Sequence, residues 1–192
     1  MTLSLERINS AKASNFLVSK KKIVLITGAE SGIGKSTTKV FLDNDYRVIG
    51  TCLKNNKNKD IKGIEYYKID ITNNLEWENL ASHIKDKYKK IDVLVNSAGV
   101  RLSGNLETTS MNDWSYHLNN NVTGTFLSCK YILPFLKKAK NSSIINLASI
   151  NSVRGVKNML AYATSKSAII SFTASLALDL SKHNIRVNAV AP

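Results

Sequence analysis

A tyrosine and a lysine four positions apart, in Tyr162-Ala163-Thr164-Ser165-Lys166, are the residues whose types and spacing first point to chemistry. On a helix, positions four apart share a face, so a phenol and an ammonium converge on one place. A free tyrosine keeps its proton to a pKa of about 10, too high for easy exchange at neutral pH. A neighbouring cation favours the phenolate and makes such a side chain a usable general acid or base. The same spacing also occurs on ordinary exposed helix faces, so it does not stand alone. Ser149 adds to it, following the β-rich run from Ile144 to Leu147. Ligands of open α/β sheets bind at the C-terminal ends of the strands. A hydroxyl there polarises a carbonyl oxygen and stabilises charge developing on it.

A second constellation lies near the start of the chain. Thr27-Gly28-Ala29-Glu30-Ser31-Gly32-Ile33-Gly34 separates the apolar run Ile23 to Ile26 from a helical stretch, Lys35 to Asn44. Backbone N–H groups at a helix N-terminus favour a phosphate, and glycines allow a pyrophosphate to approach closely. The spacing is GxxxGxG rather than the GxGxxG of most dinucleotide loops. The same residues also satisfy a relaxed triphosphate loop, Ala29-x4-Gly34-Lys35-Ser36, with Lys35 on phosphate oxygens and Ser36 on magnesium. That reading needs an acidic residue at the end of a later strand. The strand-like runs end in Cys52 and Asn96, and Asp92 sits at the wrong end of its run, which leaves Asp70.

The elements that must position these groups alternate along the chain. Strand-like runs are Ile23 to Ile26, Arg47 to Cys52, Tyr66 to Ile71, Ile91 to Val95, Ser143 to Leu147 and Ile185 to Val190. Helical periodicity marks Lys35 to Asn44, Leu75 to Tyr88, a long zone from Met111 to Lys138, and Leu160 to His183. Strands alternating with helices give βαβ units and hence a doubly wound α/β fold, a parallel sheet covered on both faces in three layers. Residues 1–21 read as a flexible N-terminal extension, and residues 22–192 as one domain.

Bulk properties narrow the function classes. The 192 residues are 43% hydrophobic and 21% charged, which fits a globular chain with a packed core and excludes a disordered or collagen-like one. Cys52 and Cys129 form neither a CxxC pair nor a disulfide framework, and no apolar run has the length of a membrane span. A soluble protein of the cytoplasm is the expectation, with no membrane partner. The net charge of +13 invites a nucleic-acid reading. The 22 lysines outnumber the 5 arginines and scatter along the chain, without the aromatic interleaving of stacking platforms, so no nucleic-acid partner is expected. His83, His117 and His183 are too scattered for a zinc site, and no metal is expected.

Together, these motifs resemble the short-chain dehydrogenase/reductase family, in its subgroup with TGxxxGIG and YxxxK motifs, from about Lys22 to Pro192. Asn96-Ser97-Ala98-Gly99 is similar to the family's NNAG signature, with Ser97 in place of the second Asn. Arg186-Val187-Asn188-Ala189-Val190-Ala191-Pro192 resembles the strand that leads into its Pro-Gly motif. The resemblance implies a Rossmann-like dinucleotide-binding and catalytic domain, and hydride transfer between a nicotinamide and a secondary alcohol or ketone. The substrate would be 3-oxoacyl-like, or a small polyol or ketone. It implies Ser149, Tyr162 and Lys166 as catalytic residues, with Ser149 and Tyr162 on the substrate and Lys166 also on the nicotinamide ribose. Asn121 would complete a proton relay through water. Gly28, Glu30, Ser31, Gly32, Ile33, Gly34, Asp70, Ile71, Asn96, Ala98 and Gly99 would line the cofactor site, together with Tyr162, Lys166, Cys52 and Lys54. A homodimer or homotetramer is the implied assembly. Family members run on past this point through a substrate-covering segment and a final strand, so the chain ending at Pro192 is expected to be C-terminally incomplete.

An acidic residue at the end of the second strand selects NAD by binding the ribose 2′-hydroxyl. Cys52 stands there, followed by Leu53 and Lys54, and Lys57 and Lys59 are close in sequence, so NADP is favoured over NAD. Arg101 and Arg154 are candidates for pairing an anionic substrate, or ordinary surface arginines. Two other readings stay open: a dinucleotide-binding relative without catalysis, and the triphosphatase built on Lys35 and Ser36.

Overall fold

Short apolar runs become the strands, fully buried at the centre of the sheet and partly exposed at its edges, and the longer period-3.6 stretches between them become the helices that cover it. The computed structural model describes residues 21–53 and 61–192. Its strands are β1 (Ile23–Thr27), β2 (Arg47–Cys52), β3 (Ile64–Lys68), β4 (Val93–Asn96), β5 (Ser143–Leu147) and β6 (Arg186–Val190). All pair in parallel, in the order β3-β2-β1-β4-β5-β6. The order reverses between β1 and β4, and that switch point opens a crevice at the C-terminal ends of the strands.

The α-helices are α1 (Gly32–Asp43), α2 (Asn74–Lys87), α3 (Met111–His117), α4 (Gly124–Leu136) and α5 (Leu160–Ser181). One apolar cluster joins Leu25, Ile49, Leu94 and Ile144 of the sheet to Trp77, Ile84, Ile132 and Leu180 of helices α2, α4 and α5. A smaller cluster of Val24, Ile26, Val48 and Val95 fills the opposite face, with Phe41 and Leu42 of α1 packed against it. The doubly wound three-layer expectation therefore describes the molecule.

Helix α1 begins at Gly32 rather than Lys35 and β4 spans Val93–Asn96 rather than Ile91 to Val95, and two further elements depart more from their sequence expectation. The zone from Met111 to Lys138 is not one helix: a π-helical segment, Leu118–Thr123, interrupts it between α3 and α4. The third strand runs from Ile64 to Lys68 rather than from Tyr66 to Ile71: buried Ile69 makes a last N–H bond to the Cys52 carbonyl of β2, and Asp70 begins a turn. At this sheet edge, burial pushes the Glu65 carboxyl up. Hydrogen bonds from Lys87, Tyr67 and Tyr88 outweigh that and hold it at about 2. The proposed extension, residues 1–21, lies almost wholly outside the described residues.

At the crevice end of the sheet, Thr27, Asn96 and Asn146 are register partners on β1, β4 and β5. The Thr27 hydroxyl oxygen accepts the N–H groups of Ser97 and Ala98, both at 3.0 Å. Asn96 Nδ2 donates to Asn146 Oδ1 at 2.8 Å, and Asn146 Nδ2 donates to Thr173 Oγ1 on α5 at 2.9 Å. The Ser128 hydroxyl of α4 donates to Asn96 Oδ1 at 2.5 Å. A buried ladder of this kind is stabilising only while every member has a partner. Asn146→Leu is expected to cost about 2–3 kcal/mol, since it strips Asn96 and Thr173 of one partner each. A urea midpoint unchanged from the parent would contradict that expectation.

Candidate active site

The glycine loop owes its path to positions only glycine fills well. Gly28 has φ +65°, and a Cβ there would meet the Ala98 backbone at 2.9 Å. Ser31 caps α1 without a side-chain hydrogen bond, whereas Asn73 caps α2 and Ser110 caps α3 with theirs. The first N–H groups of α1 are therefore left for a ligand, beside a cleft of about 300 Å³. Gly28, Glu30, Ser31, Gly32 and Ile33 form one wall of that cleft; Cys52, Asp70, Ile71, Ala98 and Gly99 form others. Uncapped N–H groups and close-packed glycines fit the pyrophosphate of a dinucleotide.

A second cavity, of about 190 Å³, is lined by Ser149, Tyr162 and Lys166. It shares Ile33, Ser97, Gly99 and Val100 with the first, so the two are continuous. Ser149 lies two residues beyond β5 and caps a 3-10 turn, Ile150–Ser152; its hydroxyl oxygen accepts the Asn151 N–H at 3.2 Å. Tyr162 and Lys166 rise from the first two turns of α5. The Tyr162 ring stands edge-on to that of His117, with centroids 6.4 Å apart. Lys166 Nζ donates to the Leu147 carbonyl at 2.6 Å. Burial pulls its pKa down from 10.5 to about 8, so the ammonium persists at neutral pH but is lost not far above it.

That value fixes a stability trend in the unliganded chain. Because the folded state releases the Lys166 proton at lower pH than the unfolded chain, the cost of burying the charge is present in full below about 8. It disappears as pH rises to about 10.5. Against Lys166→Met, the parent should gain up to about 3 kcal/mol over that interval in urea denaturation. A difference independent of pH would show that Lys166 titrates normally.

Asn121 does not line either cavity. It sits in the π-helical segment, and π-bulges frequently mark functional positions. Its Oδ1 accepts the Val100 N–H at 2.7 Å, and its Nδ2 donates to the Val100 carbonyl at 3.0 Å and to Ser165 Oγ at 2.8 Å. A Cβ on Gly99 would approach Asn121 Oδ1 to 2.9 Å and Lys166 Nζ to 3.4 Å, so the three residues form one packed cluster. Asn96 and Gly34 are buried behind the cleft walls rather than exposed in them. Asp70 Oδ1 accepts from the N–H and hydroxyl of Thr72. Asp92 accepts from the Ile23 N–H and from Lys90 at the opposite end of the sheet, away from Lys35 and Ser36. Lys54, Lys57 and Lys59 lie outside the described residues.

Several residues at the site carried no individual signal in the sequence. Thr51, Leu53 and Asn120 line the cleft. His117 is buried, its Nε2 accepting the Leu102 N–H at 2.9 Å while Nδ1 faces the Asp113 carbonyl. Ser165, inside the Tyr-Lys block, ties Asn121 to the Tyr162 carbonyl. The Cys129 thiol, pushed up to about 12 by burial, is a packing residue. Among the described residues, no three His, Cys, Asp or Glu side chains cluster to hold a metal, and no helix is long and apolar enough to cross a membrane.

Fold and cavities together define a doubly wound α/β protein with two continuous cavities at its switch point, the second lined by hydroxyls. Residues 22–192 match the family model for short chain dehydrogenases, and the chain belongs to that family. It is 36% identical over 179 residues to the 3-oxoacyl-(acyl-carrier-protein) reductase FabG of Thermotoga maritima, covering 89% of this chain and 73% of that protein. It is 34% identical over 171 residues to 3-ketodihydrosphingosine reductase of Bacteroides thetaiotaomicron, covering 89% of this chain and 63% of the relative. Among solved structures, ElxO with NADP bound is similar at 36% identity and a TM-score of 0.85, covering 90% of this chain and 73% of that one. A 4-hydroxyisoleucine dehydrogenase complexed with NADH matches at 29% identity and a TM-score of 0.81, covering 90% of this chain and 75% of that one. The chain thus spans about two thirds to three quarters of the length of these proteins.

Proposed function

We propose that this chain is an NAD(P)-dependent oxidoreductase interconverting a secondary alcohol and a ketone. The observation that carries this reading is the continuity of the uncapped glycine-loop cleft with a cavity walled by Ser149, Tyr162 and Lys166. A bound dinucleotide supplies the hydride chemistry; the protein supplies position and charge. The Ser149 hydroxyl donates to the substrate oxygen and holds it beside Tyr162. The Tyr162 hydroxyl gives its proton to that oxygen in reduction and takes it back in oxidation. Lys166, anchored on the Leu147 carbonyl, keeps a positive charge at the base of the cavity and serves the ribose. Asn121 ties Val100 to Ser165, the residue before Lys166, and so holds the relay's path to solvent.

Two relatives are named for reductions of 3-oxo compounds, which supports a ketone carried on a chain as substrate class, with a small polyol or ketone as the other choice. Neighbours with NADP and with NADH support either dinucleotide. A homodimer or homotetramer in the cytoplasm completes the reading.

The test is a thermal-shift comparison of NADH, NADPH and ATP, followed by turnover with a panel of 3-oxo esters and small ketones. A dinucleotide should raise Tm, as a ligand that binds only the folded state does, and should be consumed with a ketone present. Stabilisation by ATP with magnesium but by neither dinucleotide would favour the Lys35–Ser36 triphosphatase instead. Dinucleotide binding without turnover on any carbonyl would favour the inactive relative.

A further inference from the structure

The second strand ends at Cys52 with no carboxylate to receive a ribose, yet the cleft contains two from other elements, Glu30 and Asp70, and Asp70 Oδ1 is already engaged by Thr72. Glu30, in the glycine loop, reaches across to β2: its Oε1 accepts the Leu53 N–H at 3.2 Å. Its other oxygen, Oε2, is sealed from solvent and has no hydrogen-bond partner among the described residues. A sequestered carboxylate oxygen without a donor is costly, and a ligand that brings one recovers that cost.

We infer that Glu30 is the residue that selects the dinucleotide, and that it selects NADH over NADPH. The inference rests on the dinucleotide reading above and deepens it. The ribose end of a dinucleotide lies against the end of the second strand in folds of this kind. A ribose 2′-hydroxyl offers the proton that Oε2 lacks. A 2′-phosphate offers acceptor oxygens and close to two negative charges, which the carboxylate repels in a partly enclosed cleft. Like-charge juxtaposition of this sort discriminates by rejecting the wrong ligand. The choice is opposite to the one the lysines at 54, 57 and 59 imply, so experiment separates the two.

Fluorescence titration of the full chain with NADH and with NADPH tests it, in the parent and in Glu30→Gln. Glutamine keeps the shape and an acceptor for the Leu53 N–H while removing the charge. The parent should bind NADH at least about tenfold more tightly than NADPH, and Glu30→Gln should bring the ratio to within about threefold, mostly by improving NADPH. Parent affinities that are equal or favour NADPH overturn the inference, as does an unchanged ratio in the variant. If Glu30→Gln is poorly folded by circular dichroism, a salt series on the parent replaces it. Screening from about 50 to about 500 mM should narrow the preference for NADH, and a ratio indifferent to salt overturns the inference. Binding of neither dinucleotide fails the functional reading itself and this inference with it. Binding of both, with Glu30 inert, fails this inference alone.

Discussion

Tyr162→Phe should reduce ketone turnover by about 10²–10⁴-fold while binding the dinucleotide as the parent does. The substitution removes one oxygen and leaves the ring, so it opens no cavity in the core. Its ring contact with His117 and the hydrogen bond from Ser165 to its carbonyl do not involve the hydroxyl. What disappears is the one hydroxyl in the cavity mounted on the same helix face as Lys166, four residues away. Steady-state consumption of the dinucleotide reads the loss, and thermal shift reads the binding that survives it. Retention of more than about a tenth of parental activity would remove Tyr162 from the proton-transfer role, since general acid–base catalysis is worth at least about 10²-fold.

Gly34→Ala should abolish dinucleotide binding and destabilise the chain by about 1–3 kcal/mol. A Cβ at Gly34 would stand 2.1 Å from the Gly28 carbonyl oxygen and 2.9 Å from its carbon. Those are backbone atoms of the loop itself, with no flexible side chain to yield. Room can be made only by lifting α1 away from the turn, which displaces the N–H groups offered to the pyrophosphate. Gly155→Ala is the matched control, because nothing lies within 4 Å of the added carbon and its φ is not positive. Isothermal titration with NADH and urea denaturation measure both effects. A Gly34→Ala protein with parental affinity would mean that the loop does not cradle the ligand.

Much of this was legible from residue types and order. β2 runs over the residues that its β-branched pattern marks, and Ser149, Tyr162 and Lys166 share a cavity as a strand end and one helix face require. The misplaced third strand has a physical cause. Ile69 and Ile71 look like strand residues because they are apolar, but Ile69 makes only a last bond to β2 at the strand's end and Ile71 packs against Gly124. The break in the Met111 to Lys138 zone is invisible to periodicity, because a π segment keeps helical composition and differs only in its hydrogen bonding. The bonds of Asn121 to Val100 and of Glu30 to Leu53 join residues more than twenty positions apart. Such juxtapositions exist only once the strands are side by side. For that reason Glu30 read as one cofactor-lining residue among many, and the cofactor preference fell to lysines that lie outside the described residues.

The buried ladder from Thr27 through Asn96 and Asn146 to Thr173 has a kinetic consequence. It ties the glycine-loop strand to the helix bearing Tyr162 by hydrogen bonds, whose lengths tolerate little change. In the proposed reaction, the spacing between the bound dinucleotide and Tyr162 is thereby set by the sheet itself. Apolar replacements elsewhere in the core should lower Tm and leave kcat alone. Cutting a rung should lower kcat with KM nearly unchanged, because near-attack geometry suffers before binding does.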